Sequence, residues 1–392
     1  MSAVRLKHLL LGSLTAGTLL AAAPASALTI QLNDTGGVAG SAAAYGFQVA
    51  AKYWESVFTN DVTVSLDVGF AALDPGVLGQ TGSYLATYIP ISAYQGALAA
   101  TGTSALDAAA AANYAPLNGS GGVEVLVPGY FDAATQSGVD PLTSRIAPDD
   151  NINQTVALSA ANFKALGGTF ADPNAPDAEI TFSSNFAFDF DPRNGVDAGS
   201  YDFIGVAVHE IGHALGFLSG ADDFDYSAGP VPGIDEYWWG YGLDMFRYSE
   251  SGEDGAPILD WRPGVDSYFS IDGGQTALGY FSTGTNFGDG WQASHWKSPQ
   301  EAPFCAGLLG IMNPYACGGS ADNSVTGLDL ALFDAIGWNL NVDVLNNPYN
   351  FTTSEMAQTY LPEPSTWAML IMGFGATGAI LRRRRMVPAP AR

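Results

Sequence analysis

Two histidines and a glutamate carry the first chemical signal. In Val208-His209-Glu210-Ile211-Gly212-His213 the imidazoles are four residues apart. On a helix that spacing stacks them on one face, where they can grip a single zinc ion. Glu210 sits about 100° further round, placed to take a proton from water acidified by that metal. The segment from Tyr201 to Phe217 has a helical apolar pattern. Ser200 or Asp202 can cap its start, and Gly216 can end it in a left-handed conformation. The same pattern arises by chance in ordinary helices as a surface or satisfied core pair. In this apolar setting, two buried imidazoles and a buried carboxylate would be costly without a metal.

A catalytic zinc takes three protein ligands and keeps one open position. Three residues after Gly216 the chain has Ser219, which cannot serve as the third ligand. Of the four histidines, His8 lies in an N-terminal export signal, which leaves His295, in Ala293-Ser294-His295-Trp296-Lys297. Asp222, Asp223 and Glu236 are the carboxylate alternatives. Met312 follows His295 by 17 residues, in the turn Gly310-Ile311-Met312-Asn313-Pro314. Most methionines simply fill gaps in cores; this one stands instead in a tight turn after His295. Cys305 and Cys317 bracket it with eleven residues between them. In an exported protein they are expected to form one disulfide closing this loop, with two free thiols as the alternative.

The order His209-Glu210-x-x-His213-x-x-Gly216, a long insertion, Ser294-His295-Trp296 and then Met312 resembles the leishmanolysin-like branch of the metzincin metallopeptidases. The resemblance implies that His209, His213 and His295 bind one catalytic zinc. It makes Glu210 the general base and Met312 the hydrophobic floor. It also implies an α+β, zincin-type fold of two subdomains with the active-site helix between them. The upper would span residues 28–219 and the lower 220–350. The expected function is an exported zinc-dependent metalloendopeptidase acting on a protein or peptide substrate. A non-catalytic zinc protein of the cell surface or extracellular matrix is the alternative, and a hydrolase of non-peptide amides a weaker one.

Both ends of the chain read as targeting signals. Arg5, Lys7 and His8 precede an apolar stretch from Leu9 to about Ala23, and Ala25-Ser26-Ala27 gives a cleavage pattern for signal peptidase after Ala27. Beyond a linker at 351–361, Pro362-Glu363-Pro364 is followed by an apolar run from Trp367 to Leu381, then Arg382 to Arg385 and a tail at 386–392. This order resembles the PEP-CTERM sorting signal of Gram-negative bacteria. It implies transient anchoring in the inner membrane, cutting by an exosortase-type enzyme, and delivery to the cell surface or outside.

The charge agrees with an exported body. The whole chain has 14 basic and 39 acidic residues, a net of −25. Seven of the basic residues and none of the acids lie in 1–27 and 364–392, so residues 28–363 carry 7 against 39, a net of −32. Such a surface excludes nucleic acid as a partner, because phosphates need a basic footprint. Asp189, Asp191 and Asp197 precede the His-Glu helix, and Asp222, Asp223 and Asp225 follow it. They lack EF-hand spacing and are expected to be solvated acidic loops, with a structural calcium site as the alternative.

The elements that must position these residues mix helix and strand, hence the α+β expectation. A helix is expected over 42–58, with Tyr45, Val49, Tyr53 and Val57 at spacing four, and others over 160–166 and 326–337. Strands are expected near 28–32, 62–68, 124–127, 156–158 and 179–182, and the Ala-rich 94–115 as helix or loose loop. Glu179 to Ser183 is a candidate edge strand above the cleft, able to bind a peptide by β-augmentation, or else a plain core strand.

Overall fold

The computed structural model describes residues 27–230, 240–299, 307–319 and 323–360. In chain order its first elements are β1 (Thr29–Gly36), α1 (Ala42–Val57), β2 (Thr63–Ala71), β3 (Gly79–Ser83), β4 (Leu85–Pro90), α2 (Ile91–Thr101) and α3 (Ala105–Ala111). Then come β5 (Val125–Gly129), β6 (Asp140–Ile146), α4 (Asn151–Gln154), β7 (Thr155–Ser159), α5 (Ala160–Ala165) and β8 (Ala178–Ser183). The short pair β9 (Phe188–Asp189) and β10 (Tyr201–Asp202) leads into α6 (Phe203–Ala214) and α7 (Gly220–Tyr226). Short strands follow: β11 (Gly240–Tyr241), β12 (Arg247–Ser249), β13 (Ile258–Asp260), β14 (Tyr268–Phe269) and β15 (Gly279–Tyr280). The described chain closes with β16 (Ser324–Thr326), α8 (Gly327–Ala335), β17 (Asn350–Thr352) and α9 (Thr353–Tyr360). The fold is mixed α+β.

The sheet that matters for the site has the order β1-β2-β8-β3. β1, β2 and β8 run parallel, whereas β3 lies antiparallel on β8 and forms the edge. The segment 179–183 therefore sits inside the sheet, and the edge position belongs to β3. This corrects the expected edge strand. Its sequence, Gly79-Gln80-Thr81-Gly82-Ser83, has no apolar alternation, because an edge strand over a cleft buries little of either face. A second, six-stranded sheet has the order β15-β14-β12-β13-β5-β6.

α1 and α6 pack together over the first sheet. Gly46 makes the close approach possible, since a Cβ there would lie 2.3 Å from the Phe203 ring. Trp54 Nε1 donates to the Val208 carbonyl at 3.1 Å, tying α1 to the middle of α6. The Phe182 ring of β8 lies 4.5 Å from Phe203, tilted, and 5.0 Å from Phe47, edge to face, which joins sheet and helices in one aromatic core. The expected stripe on α1 is buried at Val49, Tyr53 and Val57, but Tyr45 is exposed. A strict spacing of four drifts about 40° per step on an α-helix, so a run of four cannot stay on one face.

Under this core, Lys164 of α5 and Asp177 form a buried ion pair at 2.7 Å. Each also bonds the backbone of β2: Lys164 donates to the Thr63 carbonyl, and Asp177 accepts from Ser65 N. α8 closes the other side of α6. Its Phe333 packs on Trp54, Phe58 and Phe217, and Trp338 just beyond it donates to the Leu215 carbonyl at 2.8 Å.

Candidate metal centre

α6 starts where a cap is available. Asp202 accepts from Gly205 N at 3.1 Å, so of the two expected caps the aspartate serves. The helix ends at Leu215, and Gly216 follows at φ +113°, in the region that favours glycine. Between these ends, His209, Glu210 and His213 face the cleft.

The structure brings His209, His213 and His295 together. Their Nε2 atoms stand 3.1 Å (209–213), 3.2 Å (213–295) and 3.2 Å (209–295) apart. Each Nδ1 points at a backbone carbonyl: His209 at Ile311 (2.7 Å), His213 at Phe217 (2.8 Å) and His295 at Gln292 (3.2 Å). A carbonyl only accepts, so each Nδ1 carries the proton and each neutral ring turns a bare Nε2 lone pair inward. Burial holds all three imidazoles below their ordinary value, His209 at about 4, His213 at about 3 and His295 well below it. Neighbouring imidazoles push His213 and His295 the same way. At neutral pH no proton is available to join these nitrogens, so their contacts are not hydrogen bonds. Three lone pairs converging at this distance repel unless a cation lies between them. A tetrahedral zinc with Zn–N near 2.05 Å needs nitrogens about 3.3 Å apart, which the triad matches. The donor set therefore fits zinc, with outer-shell carbonyls fixing each ring's tautomer.

Glu210 lies against the edge strand. Thr81 Oγ1 is 2.7 Å from Glu210 Oε2 and 2.9 Å from its carbonyl, and its single proton serves one of them at a time. A Cβ on Gly79 would stand 2.9 Å from Oε1, so glycine leaves room for the carboxylate. Burial pushes the Glu210 carboxyl up to about 7, against the lowering pull of the Thr81 hydroxyl. A cleft of about 640 Å³ opens over the triad, walled by Leu78, Thr81, Tyr201, Tyr226, Trp291 and Tyr315 among others.

Met312 is fully buried, and its sulfur packs on α6 at Gly212, where a Cβ would come within 2.5 Å of Sδ. Its carbonyl accepts from Trp296 N at 2.9 Å, so the methionine turn and the His295 segment are paired. Ser219 donates to Asp244 at 2.6 Å and caps α7, a structural use of the position after the helix. Asp222 accepts from the amides of Ala293 and Ser294, and Asp225 from those of Asn286 and Phe287. Asp189 accepts from Asp191 N and Asp197 N, while Asp191 pairs with Arg193. Glu236 and Cys305 lie outside the described residues, and Cys317 is buried.

Gly79, Thr81, Gly212 and Asp329 escaped the sequence reading. The first two sit in a featureless Gly/Thr stretch, and Gly212 in a helix where glycine carries no signal of its own. Asp329 stands three residues after Thr326, and that capping-box spacing could have flagged it.

Residues 361–385 match the PEP-CTERM protein-sorting motif. The motif implies export, processing by an exosortase-type enzyme, and sorting to the surface or exterior of a Gram-negative cell. Its apolar run at 367–381 lies outside the described residues; among those described, no helix is long and apolar enough to cross a membrane. No curated protein and no solved structure matches the chain.

Proposed function

We propose that the protein is an exported zinc-dependent metalloendopeptidase with a metzincin-like arrangement of helix, distant third histidine and methionine turn. The observation that carries this reading is the convergence of three bare imidazole nitrogens within 3.2 Å beside a buried glutamate. Zinc held there supplies a Lewis acid that polarises a peptide carbonyl and makes water acidic near neutral pH. The chain's own residues do the remaining work. His209, His213 and His295 would hold the ion, and Met312 packs beneath them as the floor. Glu210 takes a proton from water and returns it to the leaving amine, a task suited to a carboxyl raised to about 7. Thr81 anchors that carboxylate. The free edge of β3 offers backbone groups to which an extended peptide can add as a strand. A Cys305–Cys317 disulfide would close the loop that carries the methionine.

Among the described residues no fourth histidine, cysteine, aspartate or glutamate joins the triad, which favours a catalytic over a closed structural zinc. Glu210→Gln tests the reading. The variant is expected to keep one zinc and lose casein cleavage by at least about 100-fold. Normal cleavage by that variant overturns the mechanism.

A further inference from the structure

His295 lies 82 residues beyond His213, on a segment without regular secondary structure, yet its nitrogen reaches the triad. Something other than a helix must hold it there. The structure points to α7, which begins six residues after α6 ends and presents two aspartates three apart on one face. Asp222 is buried, and each of its oxygens takes one backbone amide, Ala293 N at 2.5 Å and Ser294 N at 3.0 Å. Asp225 is buried too and takes Phe287 N at 2.9 Å and Asn286 N at 2.8 Å, one on each oxygen. Arg247 grips the Ala293 segment from within, donating to the Ala293 carbonyl at 3.2 Å and to the Ser282 carbonyl at 3.1 Å. Ala293 is thus held at both its N–H and its C=O, two residues before His295. The Asp225 loop is different: Thr285, Gly290, Trp291 and Gln292 beside it wall the cleft.

We propose that α7 is a two-pronged clamp in which Asp222 positions the third metal ligand and Asp225 positions the cleft wall. The proposal rests on the zinc reading above and adds to it that the ligand is preset by carboxylate–amide bonds, not recruited by the metal. Neither aspartate touches the metal; both are positioning residues.

Zinc affinity of the full-length protein, measured by competition with a chromophoric chelator, separates the two prongs. Asp222→Asn replaces one acceptor by a donor and is expected to weaken zinc binding by about 10–100-fold. Asp225→Asn is expected to bind zinc within about two-fold of the original while raising KM for a peptide substrate several-fold. Amide hydrogen exchange on the unaltered protein supplies a measurement that needs no variant. After zinc is stripped, the Ala293, Ser294 and Phe287 amides are expected to stay protected, since the clamp and not the ion holds them. Unchanged zinc affinity in Asp222→Asn, or rapid exchange of those amides on stripping, overturns the clamp. A wild-type protein that binds no zinc overturns the metal reading instead, while protected amides in that protein would still support the clamp.

Discussion

His209 and His213 reach the candidate metal centre within a single turn of helix, whereas His295 reaches it across 82 residues of chain. The backbone that carries the first pair is set by α6 and its packing: a cap at Asp202, a glycine stop and contacts with α1 and the sheet. The third depends on contacts made by residues far from it in sequence. Asp222 and Arg247 hold its segment, and Asp329 of α8 ties that segment to the methionine turn. Asp329 accepts from Trp296 Nε1 at 2.8 Å, Ile311 N at 3.0 Å, Met312 N at 3.2 Å and Thr326 N at 2.7 Å. Since the Ile311 carbonyl receives His209 Nδ1, this one carboxylate connects the helical and the loop-borne ligands. Helical geometry by itself sets the spacing of two side chains on one face, whereas a loop places its side chain only when buried polar groups specify its path.

The largest effects should come from the ligands themselves, and their ratio tests the comparison. His213→Ala and His295→Ala are each expected to lower zinc affinity by more than about 100-fold, because a catalytic zinc has only three protein ligands to lose. If the loop is as well preset as the helix, the two losses should agree within a few-fold. A much smaller loss for His295→Ala would mean that binding energy is consumed in ordering the loop. Next in size is Asp329→Ala, which strands several buried donors at once and is expected to lower stability by about 3–5 kcal/mol in urea unfolding. A loss below about 1 kcal/mol would show that water replaces the carboxylate and that the strut between the two regions is weak.

How much of this was legible in the sequence follows the same division. The His-Glu helix could be read from spacing alone, down to its cap and glycine stop, because a helix converts sequence separation into angle. So could α1 and α8, whose apolar residues recur at helical intervals. His295 was reached by counting histidines and by resemblance, and nothing in its neighbours announced which groups would hold it. Asp222 was read as a candidate ligand or part of an acidic loop, since a carboxylate bonded to two distant amides looks the same in sequence as one facing solvent or metal. The edge strand was misplaced because β3 is built of Gly, Gln, Thr and Ser, whose placement depends on the partner β8 and on the Glu210 carboxylate.

α8 carries a second buried carboxylate, away from the metal, that yields a pH prediction. Ser104 donates to Asp334 at 2.6 Å, yet burial pushes the Asp334 carboxyl up to about 7, with Asp107 adding to the rise. A raised acid binds more protons when folded than when unfolded, so its contribution to stability is fullest below pH 4 and is lost as pH climbs to 7. The linkage amounts to about 4 kcal/mol at most. Asp222 and Asp223, raised to about 6 and 7, act in the same direction. The three histidines, held below their ordinary value, act in the opposite direction below about pH 6.5. The test is therefore the difference between two proteins: Asp334→Asn should flatten part of the fall in unfolding free energy between about pH 6.5 and 8. Identical slopes for the two proteins would remove Asp334 from the account.

The smallest effect probes the seam where helix and methionine turn meet. Alanine at position 212 would place its Cβ 2.5 Å from the Met312 sulfur, in a site with no exposed surface. Overpacking of this kind costs about 1–3 kcal/mol, while replacing glycine inside a helix returns about 1 kcal/mol. Gly212→Ala should thus destabilise by up to about 2 kcal/mol. In a Met312→Ala background the clash is gone and only the helical gain stands, so the same substitution should become stabilising. A double-mutant cycle measures that reversal directly. If Gly212→Ala stabilises the protein even with Met312 in place, then the turn is not pressed onto α6, and the floor under the three histidines is looser than their geometry implies.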